Sequence, residues 1–215
     1  MIAPALTLYH QPGACSTVAR CALEEAGLPY EVELLNLKAG DQHKPDFLAI
    51  SPLGKVPTLV INGQPLTENA AIIVYVASLV PMAGLFPAAL DSRAIAETQG
   101  GLAFCGGTLH PIVRGLINPA RLTTGEVEGV RERAMELAVK AFGAAEARLE
   151  ERGWWLGPCS IIDVYLNWAF GLACLGGLDP APYPRLAGLQ ARLLERPAFA
   201  RVMALDAEAR AALGL

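Results

Sequence analysis

The dipeptide Asn62-Gly63, set between the β-branched run Thr58-Leu59-Val60-Ile61 and Gln64-Pro65-Leu66-Thr67, is the strongest constraint in the chain. A two-residue turn with positive φ at both positions suits Asn-Gly and joins antiparallel strands of matching twist. A β-hairpin is therefore expected over residues 58–67. What precedes it reads as strand, helix, strand. Leu6 to Tyr9 is a short apolar strand, and Ser16 to Ala26 carries Val18, Ala19, Ala22, Leu23 and Ala26 at helical spacing before Gly27 and Pro29 stop it. Tyr30 to Leu37 alternates Tyr30, Val32 and Leu34 against Glu31 and Glu33, the period of a strand. Lys38 to Ile50 reads as loop with a short helix, and after the hairpin a helix starts near Glu68, with Ala71, Ile72, Tyr75, Val76 and Leu79 on its apolar side. A βαβ unit followed by a hairpin and a helix implies a mixed sheet in an α/β domain.

Beyond Asp91 the strand signals end. Val127, Val130, Ala134, Leu137, Ala138, Ala141, Ala145 and Leu149 recur at helical spacing over residues 125–152. Ser160-Ile161-Ile162-Asp163 has the form of a capping box ahead of the all-apolar stretch Val164 to Leu175, which is expected to be a buried helical axis. Leu186 to Glu195 and Ala198 to Arg210 supply two more helices. The domain expectation is thus an α/β domain over residues 1–81, a linker over 82–91 and an all-α domain over 92–215.

With 53% hydrophobic and 18% charged residues the chain is globular rather than disordered. Its net charge of −4 gives no basic face for nucleic acid, whose phosphates need one. Residues 70–90 carry no charge, but Pro81, Gly84 and Pro87 interrupt them too early for a membrane span. The start, Met1-Ile2-Ala3-Pro4, has no basic segment leading into an apolar one, so no signal peptide is expected. Five cysteines without a C-x-x-C pair argue against a disulfide framework or zinc site and for a reducing cytoplasm. Three histidines with no H-x-x-x-H spacing give no metal site.

The chemistry-bearing segment is Gln11-Pro12-Gly13-Ala14-Cys15-Ser16, between the first strand and first helix. A cysteine at a helix mouth faces the positive end of the macrodipole, which lowers a thiol pKa below its ordinary value of about 8.5. The competing reading is that Cys15 is a small buried apolar residue. The order of elements decides between them. S-P-L-G-K-V-P at 51–57 before the hairpin and T-E-N-A-A-I at 67–72 after it resemble the thioredoxin-like domain of the cytosolic glutathione transferases, and P-G-A-C-S at 12–16 resembles their bacterial beta class.

That resemblance implies a homodimeric cytoplasmic transferase that takes glutathione as co-substrate and conjugates its thiol to hydrophobic electrophiles, a detoxification chemistry. By it, Pro57 is cis and Val56 pairs with the cysteinyl backbone of glutathione. Glu68 and Asn69 hold the γ-glutamyl end, with Asn69 standing where many members have serine. Lys38 or Gln11 would meet the glycyl carboxylate. Cys15, the Ser16 N–H and His110 are the donors to the thiolate. A peptide lying on Val56 would gain main-chain hydrogen bonds like an added strand, and the N–H groups at a helix start suit a carboxylate. His110 also reads as an ordinary surface or core histidine. His10, five residues before Cys15, is a second imidazole near the thiol in sequence. Two further functions share these motifs: a thiol transferase or peroxidase in which Cys15 forms a mixed disulfide with glutathione, and a non-catalytic glutathione-fold binding protein.

One stretch stands apart. Gln99 to Pro111 holds Gly100, Gly101, Gly106 and Gly107 in a helical context, where each glycine costs roughly 1 kcal/mol against alanine. A cavity for an electrophile, close backbone approach across a dimer, or a bent helix would each account for it.

Overall fold

A computed structural model describes residues 4–88 and 91–215. These residues group into two bodies: those up to Leu85 together with Leu194–Leu215, and those between Phe86 and Leu193. Each is described by itself.

In the first body, strands β1 (Leu6–His10), β2 (Glu31–Leu34), β3 (Thr58–Ile61) and β4 (Gln64–Thr67) form one sheet in the order β2-β1-β3-β4. β1 runs parallel to β2, with Leu8 opposite Val32, and antiparallel to β3, with Leu8 opposite Leu59. The hairpin β3-β4 turns at Asn62 (φ 48°) and Gly63 (φ 82°). Asn62 also clasps the start of β1: its N–H donates to the Ala5 carbonyl, and its Oδ1 accepts from the Ala5 N–H, each at 2.9 Å. Charged Glu31 and Glu33 on β2, and Pro65 on β4, occupy the two edge strands, where unpaired backbone must be protected.

Helix α1 (Ser16–Glu25) buries Val18, Ala19, Ala22 and Leu23, and α3 (Asn69–Leu79) buries Ile72, Ile73 and Val76. Between β2 and β3 lie a 3₁₀ turn (Asp41–His43) and the short α2 (Pro45–Ile50). The last helix of the chain, α10 (Pro197–Leu213), also belongs here and packs on α1. The sequence reading placed residues 92–215 in one helical domain. By its contacts α10 groups with the first body instead, because its buried face presents an acid, Asp206, to buried polar groups of that body.

The second body is helical: α4 (Ser92–Ala103), a π-helical stretch (Phe104–Leu109), α5 (His110–Ile117), α6 (Glu128–Arg152), α7 (Ile161–Leu175), α8 (Pro184–Ala187) and α9 (Leu189–Leu194), whose last residue groups with the first body. α7 is its axis, with Ile161, Ile162, Val164, Tyr165, Leu166, Ala169, Phe170 and Ala173 buried. Asp163 reaches back as the sequence expects, its Oδ2 accepting from the Ser160 N–H (2.8 Å) and hydroxyl (3.0 Å). Its Oδ1 accepts from the Trp155 N–H at 2.8 Å, so one carboxylate closes the loop before the helix as well as the helix start. Glu146 of α6 caps α8 by accepting from the Arg185 and Leu186 N–H groups.

The glycine-rich stretch is not broken. Helix α4 widens into the π-helical stretch and continues as α5 from His110. Gly101 is needed because a Cβ there would lie 2.6 Å from Trp155 Nε1 and from Ile162 Cδ1. Gly115 similarly lets α5 approach α6, since its Cβ would lie 2.7 Å from that of Ala134. Gly100 and Gly107 face open space. A 3₁₀ turn, Pro81–Ala83, straddles the start of the expected linker, and Ala89 and Leu90 within it lie outside the described residues.

Candidate functional site

The Gln11–Cys15 turn is built by backbone: Ala14 N–H donates to the Gln11 carbonyl at 3.0 Å, and Gly13 takes φ +80°, a conformation costly for any residue with a Cβ. Cys15 follows at the N-cap of α1, 7% exposed. Its thiol donates to the Val56 carbonyl at 3.3 Å, and its own carbonyl accepts from Asn69 Nδ2 at 2.9 Å. The first bond joins the cysteine to the Val56–Pro57 segment, whose peptide bond is cis, and the second joins it to the first residue of α3. Three segments far apart in sequence thus meet on one residue.

At the corner beside Asn69, Glu68 is exposed and holds φ +70°, a region that costs a non-glycine residue about 1–3 kcal/mol and recurs at functional sites. Asn69 is buried, and its Oδ1 has no partner among the described residues. Its amide therefore serves the Cys15 loop through Nδ2. Gln11 is likewise engaged, its Oε1 accepting from the Leu37 N–H at 2.7 Å. Lys38 is exposed on the loop that follows.

Beneath the turn is a buried polar network. His10 and Ser16 are 0% exposed; His10 Nδ1 lies 2.8 Å from Ser16 Oγ, which also accepts from the Gln11 N–H at 3.1 Å. On the other ring edge, His10 Nε2 donates to Asp206 Oδ1 at 3.0 Å, since a carboxylate can only accept. Arg20 Nη1 donates to the same oxygen at 2.9 Å; Thr17 Oγ1 (2.6 Å) and the Gly13 N–H (3.3 Å) donate to Oδ2. Burial pushes the Asp206 carboxyl up, but the bonds from His10, Thr17 and Gly13 outweigh it and hold it below the ordinary carboxylate range. Asp206 fixes the geometry of the turn without facing solvent.

His110 lies in the second body, at the start of α5. Its Nδ1 is 3.4 Å from the Tyr165 hydroxyl, and its ring meets Trp168 edge-on at 4.9 Å. Three of the other cysteines are poor nucleophiles: burial pushes the Cys21, Cys105 and Cys174 thiols up.

Residues 4–78, which contain this arrangement, match the family model described as Glutathione S-transferase, N-terminal domain. Glutathione S-transferase GST-4.5 of Xanthomonas campestris pv. campestris is 31% identical over 211 residues, 97% of each chain. The chain belongs to the glutathione S-transferase family. Among solved structures, a glutathione transferase homologue from Sulfitobacter, crystallised with bound glutathione, superposes with a TM-score of 0.84 at 30% identity, covering 92% of this chain and 96% of the other. The bacterial beta-class glutathione S-transferase of Sphingomonas chungbukensis does so with a TM-score of 0.81 at 28% identity, over 93% and 98%. The thioredoxin-like domain followed by helices, as expected from the sequence, is the glutathione S-transferase fold.

Of the residues the sequence singled out, Cys15, Ser16, Gln11, Val56, Pro57, Glu68 and Asn69 gather around the Cys15 turn, and Lys38 follows the segment that Gln11 holds. Sequence reasoning missed Asp206 and the part His10 plays. One signal was available: Phe199, Val202 and Asp206 form the buried stripe of α10, and an acid in such a stripe must be paired.

Proposed function

We propose that this family member conjugates the glutathione thiol to hydrophobic electrophiles, with Cys15 as the donor that stabilises the glutathione thiolate. The observation carrying this reading is the Cys15 thiol donating to the Val56 carbonyl at the mouth of α1. A glutathione backbone pairing with Val56 competes for that carbonyl, and the Cys15 S–H then turns to the incoming sulfur. Glutathione gives up its thiol proton to solvent. Its sulfur forms a C–S bond with the electrophilic carbon, and a leaving group departs with the carbon's electron pair. The α1 macrodipole and the Ser16 N–H favour the anion. Glu68 pairs with the γ-glutamyl ammonium, while the first N–H groups of α3 take its carboxylate. By the family resemblance, His110 is a further candidate donor to the sulfur or the electrophile.

Replacing Cys15 by Ala is expected to cut turnover of an activated aromatic halide roughly 10- to 100-fold, the loss of one preorganised donor to a developing charge, with glutathione affinity nearly unchanged. Total loss of disulfide reduction in the same variant, with conjugation intact, would favour the mixed-disulfide thiol transferase. Absence of glutathione binding by the wild-type protein in calorimetry would overturn both.

The same reading includes a homodimer in the cytoplasm. Leu53 (73% exposed) and Met82 (94%) offer apolar surface on the first body, and five cysteines without a C-x-x-C pair suit a reducing compartment. Among the described residues no helix is long and apolar enough to cross a membrane. Sedimentation should give twice the chain mass; a monomer at micromolar concentration would rule the dimer out.

A further inference from the structure

We propose that Arg210 docks a carboxylate at the rim of the Gln11–Cys15 turn, an inference that rests on the reading of that turn as the glutathione site. Arg210 lies one helical turn after Asp206 on α10, so both point to the same face. Asp206 is fixed by four donors, one of them the Gly13 N–H. The end of the helix is pinned as well, by Asn36 Nδ2 donating to the Leu213 carbonyl at 3.3 Å. Anchored on both sides, α10 sets the Arg210 guanidinium on Gly13, where a Cβ would lie 2.7 Å from Arg210 Nη1. Glycine is required there for φ +80°, and its missing side chain leaves room for the guanidinium over the turn. Cys15 is two residues further on.

The charge on Arg210 is uncommitted. In the same body Arg20 pairs with Asp206, Arg196 with Glu25 through two bonds of 2.8 and 2.9 Å, and Arg201 with Glu24. Arg210 is exposed and has no acid partner among the described residues, in a chain whose net charge is −4. A guanidinium beside the turn without a counter-charge presents a planar fork matched to a carboxylate. Lys38, also without an acid partner among the described residues, is tied to the same end of α10: its N–H donates to Asn36 Oδ1, and Asn36 donates to Leu213. Two ligands of the proposed reaction could bring a carboxylate here, glutathione through its glycyl end and the electrophile through an acidic substituent.

The test compares wild type, R210Q and R210K. Calorimetry would use glutathione and its glycine carboxamide, and kinetics an uncharged aromatic halide and one bearing a ring carboxylate. If the glycyl end docks, wild type prefers glutathione over the carboxamide by roughly five- to tenfold, and R210Q loses that preference while binding the carboxamide as before. If the electrophile docks, glutathione affinities agree and R210Q raises KM for the carboxylated halide alone. In both cases R210K, which keeps the charge without the fork, falls between. R210Q and R210K indistinguishable from wild type in all four measurements would overturn the proposal while leaving the glutathione site standing. Wild-type protein that binds no glutathione would instead remove the site reading and this proposal together.

Discussion

Asp206→Ala is expected to destabilise the protein by about 3–5 kcal/mol, because it removes the acid partner of buried Arg20 and strips an acceptor from His10, Thr17 and the Gly13 N–H. Breaking one side of a buried pair costs more than deleting the whole pair, since the stranded charge keeps its desolvation penalty. The pH dependence follows from the direction of the carboxyl's shift. The folded pKa lies below the unfolded value of about 3.9, so the unfolded chain binds the proton more readily. The stabilisation is complete above that unfolded value and is lost as pH falls from it through the folded pKa. Thermal melts of wild type and Asp206→Asn from neutral pH down to acid should therefore converge as pH drops. Equal melting temperatures at pH 7, or parallel acid profiles, would remove Asp206 from this role.

In the helical body the corresponding substitution is Asp163→Ala. It deletes the cap of α7, typically worth about 1 kcal/mol. It also leaves the buried Trp155 and Ser160 N–H groups without their acceptor, at about 1–3 kcal/mol each. A net loss of about 3 kcal/mol is expected, or some 6–12 °C in Tm for a chain of this size. Here pH acts in the opposite sense. Burial pushes the Asp163 carboxyl up despite the bonds from Trp155 and Ser160, so this carboxylate's contribution weakens as pH rises from the unfolded value through the higher folded one. Acid lability in the wild type is thus assigned to Asp206 rather than Asp163. Denaturant melts of Asp163→Ala that match wild type would show the loop before α7 to be held by something else.

These two acids mark what the sequence discloses and what it conceals. Asp163 was legible because its partner Ser160 is three residues away, within a local pattern with its own signature. The Asn62-Gly63 hairpin and the apolar stripe of α1 were legible for the same reason. Asp206 bonds to residues 186 to 196 positions earlier, and no short-range period encodes such a pairing. Asn69 shows a finer limit. Its place beside Glu68 could be read from the motif, but not that its amide turns toward the Cys15 carbonyl. Gly101 shows another, since the reason for that glycine is the indole of Trp155, more than fifty positions away. Contacts of this kind are set by packing.

The membership of α10 in the first body bears on how the protein is made. A ribosome releases the thioredoxin-like segment first, yet the acid that neutralises Arg20 and steadies the Cys15 turn emerges only after the entire helical body. The surroundings of Cys15 are complete only once both bodies have been synthesised, so a nascent chain that lacks α10 has the cysteine without the clasp that positions it.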